Sequence, residues 1–144
     1  MRSGDLRGAH VLGAILRSLF VVAAVLVLSG CVSSPREDAL ASQRPPSAEI
    51  RRVIVHDAKD YLVDPYSVRD AEISSVMDAP GGEVQFVCVK ANAKDAAGGY
   101  AGRKAVSIRL VGKYPVGINP NAAACAEPQL RWYPFPELEA LRRT

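Results

Sequence analysis

Four places in the chain carry residue types that do chemistry. At Cys31, a thiol stands behind Leu28, Ser29 and Gly30, where the small residues leave it accessible as the atom that can carry a thioether. Cys88 and Cys125 supply two more thiols. A redox or metal role for them would call for a CxxC spacing or a cluster of His and acidic residues nearby, and neither is present. His56, beside Asp57 and Asp60, is the imidazole that a general base would use. It falls on the polar face of a helical pattern with no nucleophile elbow, so a solvated charged surface is the simpler reading. Asn92, Lys94, Gly98, Gly99, Tyr100 and Gly102, followed by Arg103 and Lys104, form the fourth place. Backbone amides and cations arranged this way suit a partner or an anionic group such as a glycan or lipid phosphate. Phosphate fingerprints, however, require a helix after the glycines, and here a strand pattern follows. The competing expectation is a tight hairpin connection with Tyr100 packed back on the sheet.

The residues before Cys31 explain its setting. Arg2, Arg7 and Arg17 precede an uncharged run from Ser18 to Leu28, the charged-then-apolar order that export machinery reads. As a helix this run covers only about 16 Å, against a hydrocarbon core of roughly 30 Å, so it is short for a permanent span. It closes on Val27, Leu28, Ser29, Gly30 and Cys31, which resembles the bacterial lipobox of an aliphatic residue, two small ones and a cysteine. The resemblance implies a bacterial lipoprotein. In such proteins the leader, here 1–30, is removed and His10 leaves with it. Cys31 then becomes the first mature residue, with a diacylglyceryl thioether and an amine acylated by a fatty acid such as palmitate. Two or three acyl chains make the anchoring almost irreversible. Val32 stands where the inner-membrane retention signal of enteric bacteria has Asp, which points to the outer membrane, facing the periplasm. The alternative is an ordinary signal peptide or anchor with an incidental cysteine.

An exported chain with Cys31 committed to lipid leaves Cys88 and Cys125 as a pair in an oxidising compartment, where a disulfide is expected. Closing about 38 residues, it should contribute roughly 3 to 4 kcal/mol on chain-entropy grounds. Charge narrows the partners further. From Val32 onward there are 15 Lys and Arg against 14 Asp and Glu, so the excess cation count of the whole chain lies mostly in the leader. Nucleic acid is excluded as a partner for want of a basic surface.

The elements that position these residues follow from periodicity. Residues 31–46, with Ser33, Ser34, Pro35, Ser42, Pro45 and Pro46 and no apolar period, read as a lipidated, disordered tether with a reach of roughly 20 Å. Residues 47–144 read as one small α+β domain. Ser47 caps a helix whose buried stripe is Ile50, Val53, Ile54, Ala58, Tyr61 and Leu62, ending at Asp64 before Pro65. Asp57 falls beside that stripe, where a carboxylate is either a tuned functional acid or a border residue bonded to an Arg or a backbone amide. Strands follow around Ala71–Met77, over Val84–Val89, apolar on both faces, and over Ala105–Val111, with Val106, Ile108 and Leu110 inward and Ser107 and Arg109 outward. After Gly112 the chain reads as irregular until a short edge strand near Trp132, with a short helix over Glu137–Arg142. The expected fold is a helix on an antiparallel sheet of about three to four strands.

The stretch from Cys88 through Asn92, Ala93 and Lys94 to Gly98, Gly99, Tyr100 and Gly102, with Asp64 to Ser67 upstream, is similar to a recurrent segment of small proteobacterial envelope proteins. It covers roughly residues 60 to 110. Asp95 stands where that segment more usually has Asn. The resemblance implies a shared fold and an envelope address and brings no activity with it. No catalytic constellation, metal site or cofactor motif is expected. The functional expectation is a membrane-anchored, non-catalytic binding or structural module whose partner is an envelope protein or peptidoglycan, contacted through the glycine loop, the exposed sheet or the Trp132, Tyr133 and Phe135 cluster. A small cell-wall-acting enzyme or enzyme inhibitor is the alternative.

Overall fold

An uninterrupted apolar run demands cover on both faces of its strand. The chain meets that demand at β3 (Gln85–Asn92), where Val87, Cys88 and Val89 are all buried. The computed structural model describes residues 33–143; the leader expected over 1–30 and the lipidation expected at Cys31 lie outside the described residues. Around β3 run β1 (Arg69–Ser74), β2 (Met77–Asp78), β4 (Lys104–Val111), β5 (Tyr114–Asn119) and β6 (Trp132–Pro134). All pairings are antiparallel in the order β5-β4-β3-β1-β6, and β2 pairs β3. The described residues thus hold a six-stranded sheet, larger than the three to four strands expected. With helices α1 (Pro35–Ala41), α2 (Ala48–Tyr61) and α3 (Pro136–Glu139), the class is α+β.

Each face of the sheet has its own cover. Val87 pairs with Ile108 and Val89 with Val106, which puts these four side chains on one face. Ile54 of α2 packs there with Phe135, Leu138 and Leu141 from the C-terminal segment. On the other face Cys88 pairs with Ser107. A smaller core of Cys88, Met77 and Leu130 is packed there by Leu40, Phe86, Cys125 and Trp132. Ser107, expected outward, is therefore buried.

Ser47 caps α2 as expected, its hydroxyl accepting from the Ile50 amide at 3.2 Å. The helix stops at Tyr61, earlier than Asp64, and Tyr61, which edges an open gap beside the helix, is 47% exposed instead of buried. Two further expectations need correction. The residues after Gly112 are not irregular: the chain turns back with Gly112 at φ +60° and forms β5 against β4. Pro115 is tolerated because β5 is an edge strand. Residues 34–46, expected to belong to a disordered tether, are ordered. Ser34 and Glu37 make a reciprocal capping box with Pro35 in the first turn, and the compact unit begins at Ser34. α1 is held by Arg36 on Glu127, by Leu40 in the smaller core, and by the bridge from Arg44 to Val76 just beyond it. Among the described residues no helix is long and apolar enough to cross a membrane.

Candidate functional site

The Cys88–Cys125 disulfide forms, with Cα atoms 5.6 Å apart. It ties the short helical turn Ala123–Ala126 to the centre of β3. Ser74 completes the local bonding: its hydroxyl accepts from the Cys88 amide at 2.8 Å and donates to the Ser75 carbonyl at 2.7 Å. The bond is thus a structural staple inside a core.

The glycine segment is the connection between β3 and β4, and several of its polar groups are bonded within it or to the Asp64–Ser67 turn. Lys94 and Tyr100 face each other across an isolated antiparallel bridge. Asp95 shapes the tip, its carboxylate accepting from the amides of Ala97 at 3.0 Å and Gly99 at 3.2 Å. Gly98 and Gly102 take φ of +78° and +94°, the left-handed region that glycine enters without strain. The Tyr100 hydroxyl donates to the Ser67 carbonyl at 2.8 Å, and the Arg69 guanidinium stacks 3.7 Å from its ring centroid. Asn92 is buried; with its NH2 turned to the Gly102 carbonyl at 3.1 Å, its oxygen accepts from Arg69 at 3.3 Å. At the base of the loop Glu72 holds Lys90 at 3.0 Å and also Arg103. The Lys90 hydrogen bond and then Arg103 keep the Glu72 carboxyl below the usual glutamate range, against a partial burial that pushes it up.

One wall of this loop borders an open groove of about 760 Å³ between α2 and the sheet. Ile54, Ala58, Val89, Ala91, Val106 and Ile108 are among its lining residues. The groove exists because small side chains, Ala58 on the helix and Ala91, Ala93, Ala101 and Ala105 on the strand side, fail to fill the gap that Ile54 fills one turn earlier. Of the residues singled out from sequence, Lys94 and Gly102 line it, and Asp57 lies on the helix side. Asn92, Gly98, Gly99 and Tyr100 are not in its lining. Sequence reading missed the groove itself, since no single segment carries it.

His56 and Asp57 meet at 3.1 Å, and the imidazole is 79% exposed. Among the described residues Asp57 is its one side-chain partner, and no group of three His, Cys, Asp or Glu gathers in metal-ligand fashion. The Trp132 ring is half-buried under Lys90 at 4.1 Å, and Phe135 is fully buried beneath Arg51 at 4.8 Å, so this aromatic segment lies as a lid on the core. The chain matches no protein-family model, no curated protein and no solved structure.

Proposed function

We propose that this protein is a bacterial envelope lipoprotein, anchored by acyl groups on Cys31 to the periplasmic face of the outer membrane, and that it serves as a non-catalytic binding module there. The observation that carries this reading is the Cys88–Cys125 bond, because cytosolic thiol pools keep such pairs reduced whereas the periplasm oxidises them. It stands in a chain whose leader closes on Leu28, Ser29, Gly30 and Cys31. The binding surface in this reading is the groove beside α2, since Asp95 and Tyr100 of the glycine loop are already hydrogen-bonded within the fold.

Labelling growing bacteria with an alkynyl palmitate tests the anchor. Wild-type protein should take up label and fractionate with outer membranes, whereas Cys31→Ser should take up none. Equal labelling of the two proteins, or none of either, would sink the reading.

A further inference from the structure

The groove is a gap in an otherwise close-packed molecule, and its lining restricts what fits. Ile54, Val89, Val106 and Ile108 make its floor apolar, and three of the large apolar side chains that remain exposed, Tyr61, Val63 and Ile118, edge it. The side chains of these four floor residues carry no hydrogen-bonding group to offer a polar ligand. A sugar or peptide placed there would give up hydrogen bonds to water without replacement. An alkyl chain would give up none, and the volume lies in the range of small-molecule sites.

The charges at the rim select the other end of the ligand. Asp95 is engaged by two backbone amides and Asp57 by His56. Lys94 and Lys104 also line the groove, and among the described residues neither has a carboxylate within ion-pair distance; Lys94 has only the Tyr100 ring at 5.8 Å. Both carboxylates keep their charge, so the mouth carries both signs; among the described residues the two lysines are the charged side chains there without a hydrogen-bonded partner. We infer that the groove holds one long-chain fatty acid, its alkyl chain between α2 and β4 and its carboxylate at Lys94 and Lys104. This inference rests on the reading of the groove as the binding surface and names its ligand.

The test uses the mature protein purified from cells in nanodiscs, with a diazirine-bearing myristate as probe and mass spectrometry to locate the crosslinks. Crosslinks are expected on peptides covering 58–63 and 101–108, with competition by saturated fatty acids from octanoate to myristate strengthening about fourfold per added methylene. Ala58→Trp, which fills the gap, should abolish them. Lys104→Glu alters only an exposed side chain and so tests the mouth without threatening the fold; it should weaken fatty acids about tenfold and leave the matching fatty alcohol unchanged. Crosslinks scattered over the surface and indifferent to Ala58→Trp would overturn the proposal, as would alcohol and acid competing equally. Because crosslink position is read independently of the residue-31 lipid, failure here and failure of the anchor are distinguishable.

Discussion

The Tyr100 hydroxyl donates to the Ser67 carbonyl oxygen at 2.8 Å, across 33 residues of sequence. The same Ser67 uses its own hydroxyl to accept from the Lys94 amide and to donate to the Asp64 carbonyl, each at 2.8 Å. The turn at Asp64 to Ser67 and the glycine loop are therefore one bonded unit. Their common role is to hold the wall of the groove.

Removing either end of that link should cost stability in proportion to the bonds lost. Tyr100→Phe deletes one hydrogen bond and should cost about 1 kcal/mol, whereas Ser67→Ala strands the Lys94 amide and should cost about 1 to 3 kcal/mol. Chemical denaturation reads both values. Ser67→Ala unfolding at the wild-type midpoint would show that the unit is not cooperative.

Asp95 organises the loop through a carboxylate oxygen that an Asn amide can replace. Asp95→Asn should leave amide exchange at Ala97 and Gly99 slow, and Asp95→Ala should accelerate it at both. Equal exchange in the two variants would contradict the assigned bonds.

The disulfide closes a loop with a sequence separation of 37. Cys125→Ala should lower stability by about 4 kcal/mol, and the thermal midpoint by some 15 to 30 °C, in so small a domain. Reductant should reproduce the loss in wild type and do nothing to the variant. A midpoint insensitive to both would mean that the bond constrains nothing.

Acid should destabilise the domain through two carboxylates. Glu72, bonded by Lys90 and Arg103, and Glu137, bonded by Arg51 at 2.7 Å, are both held below the usual glutamate range in the folded protein. A depressed folded value means that the unfolded chain takes up protons first. The stabilisation is then complete above about pH 5 and is lost as pH falls through about 4.3 towards the lower folded values. With side chains 34% and 50% exposed, each contributes at most about 1 kcal/mol. Denaturation midpoints between pH 7 and pH 3 should show a shallower fall in Glu72→Gln than in wild type; identical slopes would remove Glu72 from the account.

What the sequence made legible was what local pattern encodes. Ser47 and the three-and-four spacing from Ile50 to Leu62 marked α2, and the run Val84–Val89 marked a strand covered on both faces. β5 stayed hidden because Pro115 and Gly117 mimic loop punctuation, and because an edge strand with no fully buried side chain carries little apolar signal. α1 carried a readable start signal in Ser34, Pro35 and Glu37, yet its composition resembled a linker; long-range contacts, Arg36 on Glu127 and Leu40 in the smaller core, order it. The groove was illegible for a different reason. It is the meeting of Ala58, Ala91, Ala93, Ala101 and Ala105 from separate segments, and each alanine alone is unremarkable.

Intact-mass analysis of the protein taken from bacterial membranes tests the lipid anchor most directly. The account predicts a polypeptide that begins at residue 31 and carries the added mass of a diacylglyceryl group and an amide-linked acyl chain. A chain retaining residues 1–30, or one cut there but bearing no lipid, would contradict it.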